Sequence, residues 1–203
     1  DEITSYAKLE EAVKKLDAKK AELGLEAVFA VAGKETWVTG LHFTNAALSP
    51  EFENVFNAFN AKKIDFKYSE GMKKLFDLQI NYAKKPVNSV DYSTQVEKLF
   101  SLGKVAFMQQ GNWTLGAIKG IDEELAANIG FLPMPIVGAK EDSIPVGIPM
   151  YWTVNSTKDE KTQAAAKAFL NWMYTSEKGK DAIINKFGFI PPFKGFDSPD
   201  LQP

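Results

Sequence analysis

"GKVAFMQQGNWTLGAI", residues Gly103 to Ile118, joins an apolar run to a Gly-Asn-Trp turn and then to the start of a different apolar period. The first part reads as a short strand buried between layers, and the change of period after Trp113 reads as a helix. A strand that hands over directly to a helix is half of an α/β unit, and the same alternation recurs on both sides. Upstream, "EAVFAVA" (residues 26–32) is apolar on both faces, as a strand between helix layers would be. Before it, Leu9, Val13, Leu16 and Leu23 repeat at helical spacing over residues 5–23, with Thr4 or Ser5 as the N-cap and Gly24 as the stop. "GKETWVTG" (residues 33–40) reads as a polar, Gly-punctuated loop. Helices are expected around residues 50–62 and 69–84, and again after Asp91, where Tyr92, Val96, Leu99 and Phe100 share one face.

Downstream, residues 120–127 read as a helix, 128–138 as a strand entering a Pro-rich connector, and 151–156 as a strand of alternating character. Residues 158–188 supply two helices split near Thr175 and Ser176, with Ala165, Phe169, Trp172 and Met173 on an inward stripe. Together these elements predict an α/β fold with a mostly parallel sheet flanked by helices.

Composition narrows the chemistry. The chain has 203 residues, 45% apolar and 25% charged, with a formal net charge of −2, which is ordinary for a globular protein. No apolar run approaches the roughly 20 residues that span a bilayer, and "DEITSYAKLEE" lacks initiator Met and signal-peptide character, so a mature or trimmed product is expected. With no Cys and one His, His42, a thiol nucleophile, a disulfide framework and a His/Cys metal cluster are excluded. No cofactor, metal or catalytic residue is expected. All 24 basic residues are Lys, so the planar fork that suits phosphate and carboxylate is missing. Nor is there the basic stripe that nucleic-acid binding requires. A neutral ligand fits best.

Trp113 stands where β-structure ends, and in open α/β sheets ligands collect at the carboxyl ends of strands. It is either a core plug or a ligand platform. Its neighbours favour the platform: Gly111 allows close backbone approach, Asn112 and Gln109 or Gln110 offer paired donors and acceptors, and the indole is a flat apolar face. Flat faces beside amides match a sugar, which has apolar C–H patches and a rim of hydroxyls. His42 reads as a loop or cap histidine, Trp172 as core, and Met134, Met150 and Met173 as gap-fillers.

The succession "FSLGKVAFMQQGNW", "NIGFLPMP", "VGIPMYWTVNSTKDEKTQAAAKAFLNWMYTSEKGKDAI" and "FGFIPP" resembles the extracellular solute-binding protein family 1, the sugar-binding components of ABC importers that include maltose-binding protein. The resemblance covers nearly the whole chain. It implies a periplasmic-binding-protein type II-like fold of two α/β lobes closing on ligand, represented here by a large middle fragment and so by an incomplete two-lobe architecture. Residues 1–145 would be the second-lobe domain and 146–203 the segment returning to the first lobe. The implied function is reversible binding of a mono- or oligosaccharide for delivery to ABC transporter permease subunits, without catalysis. Location would be extracellular, periplasmic or lipid-anchored at the cell surface, with membrane contact only through the lipid anchor of an intact lipoprotein.

Carried over residue by residue, Trp113 resembles the sugar-stacking aromatic and Gly111 and Asn112 its loop. Thr36 and Trp37 take the place of polar and aromatic ligand contacts. The segment Gly147 to Tyr151 resembles the crossing back to the first lobe, and strand alternation at Tyr151 and Trp152 favours Tyr151 for the cleft. An incomplete jaw is expected to bind its sugar weakly and, through uncovered edges or apolar patches, to self-associate. Two alternatives stand beside this reading. A glycoside hydrolase would need two converging carboxylates, for which only Asp122 to Glu124 and Glu141 with Asp142 are clustered. A structural or adhesive module would use its aromatics as core alone.

Overall fold

Ser5 starts the first helix: its hydroxyl accepts the Lys8 N–H at 3.4 Å, and α1 (Tyr6–Lys19) follows. Gly24, at φ 70°, ends the turns beyond it, a conformation that costs glycine least. The structure is a computed structural model describing residues 3–145, 147, 151–189, 191 and 194–196, and the chain divides into two units, 1–145 and 146–203.

In the first unit α1 presses Leu9 and Val13 onto β1 (Ala27–Ala30), which is buried along its whole length. β1 pairs in parallel with β2 (Val105–Met108), in the register Ala27 to Val105, Phe29 to Phe107 and Ala30 to Met108. On its other side β1 is tied by single bonds: the Phe29 N–H donates to the Tyr82 carbonyl at 3.0 Å and the Lys84 N–H to the Phe29 carbonyl at 3.0 Å. This two-stranded sheet is the whole of the parallel sheet among the described residues. The chain is richer in helix than the sequence pattern predicts.

Two apolar clusters form around the strands. One gathers Leu9, Val13, Val28 and Phe29 with Phe43, Leu75, Leu78 and Ile136; the other gathers Ala27, Ala30, Val90, Leu99 and Val105. Besides α1, the helical part of the first cluster comes from α2 (Phe43–Leu48) and α4 (Ser69–Asn81); a short α3 (Val55–Asn60), capped by Asn54, lies between them in sequence. Thr94–Phe100 winds in wide turns, with the Ser101 N–H reaching the Val96 carbonyl five residues back.

Three expectations are corrected here. The segment 33–40 is no loop: Trp37–His42 forms wide helical turns that run into α2, because Val38 and Phe43 are both drawn into the core. The expected helix over 120–127 is two, α5 (Leu115–Ile121) and α6 (Glu123–Ala127), broken where Asp122 takes extended backbone and its carboxylate accepts the Leu125 N–H at 2.8 Å. Residues 128–138 form no strand, since Pro133 and Pro135 have no N–H to give a ladder. That segment is used for packing instead, with Pro135 and Ile136 fully buried and the backbone of Val137 lying on Gly71 of α4.

The second unit is built on α7 (Glu160–Thr175), capped by Asp159, and α8 (Glu177–Asp181). Ser176 makes the split: its hydroxyl accepts the Gly179 N–H at 3.0 Å. Among its described residues, Met173 and Ile183 are the buried large apolar side chains. The inward stripe is otherwise corrected, because Phe169 (57% exposed) and Trp172 (45%) stack on each other at 5.8 Å on an open face. An apolar helix stripe is buried only where a second layer faces it, and the described residues of this unit supply none there. Residues 151–155 are likewise not a strand, and Tyr151 and Trp152 are both exposed rather than alternating.

A Cβ on Gly71 would collide with the Val137 carbonyl and come within 2.8 Å of the Val137 nitrogen, which is backbone and cannot rotate away. Gly71→Ala should therefore cost about 1 to 3 kcal/mol by overpacking, although alanine is the better helix former by about 1 kcal/mol. Urea unfolding measures it; a variant more stable than the parent would disprove the close approach.

Candidate ligand site at the carboxyl ends of the strands

Because β1 and β2 are parallel, both leave the sheet at one edge. From β1 the chain passes through Val31–Glu35 into Trp37–His42; from β2 it passes through Gln109 and Gln110 to Gly111 and the tight turn Asn112–Thr114. The two exits bring together Trp37 and Trp113, 76 positions apart in sequence, with ring centroids 6.2 Å apart. Trp113 is 48% exposed and Trp37 37%, so neither is a core plug. Gly111 makes this possible, since a Cβ there would overlap the six-membered ring of Trp113, which folds back over the loop.

Two further rings join them. His42 meets Trp37 edge-on at 5.5 Å and Trp113 at 5.9 Å, and Tyr92 lies 6.0 Å from Trp37. Glu35 orients the group. One of its oxygens accepts the Trp37 Nε1–H at 3.2 Å and the other the Tyr92 backbone N–H at 3.3 Å, so Trp37 offers a face rather than a donor.

At the strand exits lie carboxamides whose directions are forced. The Ala30 carbonyl at the end of β1 can only accept, so Gln95 must give it Nε2–H (2.8 Å), and Gln95 Oε1 then accepts from Gln110 Nε2 at 2.7 Å. Gln110 Oε1 is left buried without a hydrogen-bond partner among the described residues. A second chain runs from Gln79 Nε2 to Gln109 Oε1 (3.0 Å), and from Gln109 Nε2 to the Val38 carbonyl (3.4 Å). Both relays fasten the β2 exit to the β1 side of the site.

Of the residues singled out in the sequence, Gln109, Gly111, Asn112, Trp113 and Trp37 come together here. Thr36 is exposed at the start of the Trp37–His42 turns. Gly147 and Tyr151 belong to the second unit, both exposed; Val146, Ile148, Pro149 and Met150 lie outside the described residues. His42, expected as a loop or cap histidine, stands at the N-cap position of α2 without a side-chain capping bond, and its ring joins the aromatic cluster. Tyr92, Glu35, Gln79 and Gln95 were also missed, for they come from segments distant in sequence and only Glu35, two residues before Trp37, stood near a marked position.

The acidic clusters weighed for hydrolysis have structural partners: Asp122 caps α6, and Glu141 accepts the Tyr6 N–H at 2.8 Å. Near the rings, Asp91 is held below the usual carboxylate range first by the Thr94 N–H, which opposes service as a proton donor.

Burial holds the His42 imidazole below its ordinary pKa of 6.5. The unfolded chain therefore takes up the proton first, so the stability contributed is full above 6.5 and is lost as pH falls through it towards the folded value. Melting temperature should drop between about pH 7 and pH 5, and should drop less in His42→Gln. Equal drops in both proteins would refute the assignment. Gln95→Leu should cost at least about 2 kcal/mol, because the Ala30 carbonyl and the Gln110 amide lose their partners in a dry place. Chemical denaturation reads it, and a cost below the usual surface range of about 0.5 kcal/mol would dissolve the relay.

No solved structure matches the chain. A family model described as bacterial extracellular solute-binding protein matches residues 1–202. Half-exposed indoles and directed amides are thus gathered at the exits of the parallel strands. With a match over essentially its full length, the chain belongs to the bacterial extracellular solute-binding proteins, which capture solutes outside the cytoplasm for ABC transporters.

Proposed function

We propose that the solute is a neutral carbohydrate and that Trp113 is the surface on which it stacks. The observation that carries this reading is the pair of half-exposed indoles, Trp37 and Trp113, 6.2 Å apart beside Asn112 and the glutamine relays. Apolar C–H patches of a sugar ring suit the indole faces, and its hydroxyls suit groups that both donate and accept. The absence of Arg from the sequence argues against a phosphate or carboxylate ligand. Residues 1–145 are proposed as one lobe and 146–203 as part of the other, with Thr36, Gly147 and Tyr151 as further ligand contacts. Reversible capture and hand-over to permease subunits follow, with a lipid anchor or a periplasmic location for the intact protein.

A Trp side chain presents about 150 to 250 Å², and at roughly 25 cal/mol per Å² even half of that is worth about 2 to 3 kcal/mol. Trp113→Ala should weaken sugar binding by about 30- to 150-fold. Its stability should fall by less than the roughly 3 to 5 kcal/mol of a core Trp truncation, because nearly half of the side chain is already in water. Titrating tryptophan fluorescence with glucose, galactose, maltose and maltotriose, alongside choline, provides the test. Binding of choline alone would replace the sugar by a cation held on aromatic faces. A folded Trp113→Ala protein with unchanged sugar affinity would refute the stacking role.

A further inference from the structure

His42 is the only histidine of the chain, and it sits half-buried against both indoles, 5.5 Å from Trp37 and 5.9 Å from Trp113. Its ring nitrogens make no hydrogen bond among the described residues, in contrast to the neighbouring Trp37 Nε1, which Glu35 takes up. A neutral imidazole carries one donor and one acceptor, and a ring this enclosed gives up part of its water to sit there. The carboxamides of Gln79, Gln95 and Gln109 are engaged by protein, and Gln110 Oε1 is buried without a partner among the described residues. The imidazole is therefore a two-way hydrogen-bonding group without a protein partner among the described residues, and it stands in contact with both indoles.

We infer that His42 is a specificity-determining ligand contact: from between Trp37 and Trp113 its neutral imidazole hydrogen-bonds a ligand hydroxyl, and protonation in mild acid releases the ligand. The inference rests on the carbohydrate reading above. Protonation removes the acceptor nitrogen and places a charge where ligand would exclude water, so binding and protonation oppose each other. By linkage, ligand lowers the pKa of His42 further, and affinity declines as pH falls through the range where the free site takes up its proton.

His42 is the one histidine among these elements. Trp37–His42 and α2 carry no other ionisable group, and neither does the β2 exit from Gln109 to Ile118. Lys34, Glu35 and Asp91 lie on the adjoining segments, Glu35 bonded to Trp37 and Tyr92 and Asp91 to Thr94; Glu51, on the turn that follows α2, accepts the Asp65 and Lys67 N–H groups, and burial raises the Tyr92 hydroxyl above its ordinary pKa. On α4, which packs on α2, Glu70, Lys73, Lys74 and Asp77 are the charged groups, and Lys73 is paired with Asp77. Burial is what displaces His42 from its ordinary value.

Fluorescence titration with glucose, galactose, maltose and maltotriose at several pH values from about 5 to 8 tests this on the parent, His42→Gln and His42→Phe. For whichever sugar binds, the parent should lose affinity on the acid side. His42→Gln, which keeps a donor and an acceptor but does not titrate, should bind within a few-fold of the parent at neutral pH and show a flat profile. His42→Phe keeps the ring packing but has no polar atom, and should bind about 3- to 10-fold more weakly at neutral pH, also with a flat profile. Circular dichroism confirms that each variant is folded, and the imidazole NMR resonances of the parent should titrate at lower pH when sugar is added. If sugar binds and both variants match the parent at every pH, or if the acid loss persists in both, the role of His42 is overturned while the carbohydrate reading stands. If none of the four sugars binds the parent, the carbohydrate reading fails and this inference with it.

Discussion

The parallel pairing of β1 with β2 is the constraint on which the rest of the first unit depends. Antiparallel strands would send their carboxyl ends to opposite edges and separate Trp37 from Trp113 by the length of the sheet. Parallel pairing, in the register that sets Ala30 beside Met108, delivers both loop exits to one place. The helices are needed because parallel strands must be joined by a crossover, and the 74 residues between Ala30 and Val105 supply it together with most of the core.

So short a sheet has little hydrogen bonding of its own, and side-chain amides extend it beyond its last backbone pair. Gln95 is fully buried and fastens the Ala30 carbonyl to Gln110, while Gln79 and Gln109 fasten the second exit to Val38. Buried amides are costly unless satisfied, and once satisfied they admit few alternative arrangements. The two strand exits that carry the rings are thereby tied to each other, although the rings are half in water. Glu35 adds the lateral restraint by engaging the Trp37 indole and the Tyr92 backbone together.

The second unit illustrates the opposite condition. Its helices are well capped by Asp159 and Ser176, and Gly179 lies so close to Met173 that a Cβ would come within 2.6 Å of the Met173 Cα. Local signals are thus strong, yet Phe169 and Trp172 remain open, because capping sets where a helix starts and stops and says nothing about which layer covers it.

Local chemistry was legible in the residues alone. Ser5 and Gly24 bound the first helical region, the apolar run at Ala27–Ala30 makes a buried strand, Ser176 divides α7 from α8, and Gly111 with Trp113 marks a strand exit, since each depends on neighbours within a few positions. The absence of Cys and Arg bounded the chemistry in the same way. The helical turns at Trp37–His42, the lost strand at 128–138 and the company of His42, Tyr92, Glu35 and Gln95 were settled by tertiary packing. Val38 and Phe43 wind a Gly-containing segment into helix only because a core exists to receive them, and Pro133 and Pro135 lead Ile136 into that core where periodicity suggested a strand. His42 carries no mark in its own neighbourhood; it becomes part of the site because two parallel strands end side by side, and that is a contact between residues about 70 positions apart.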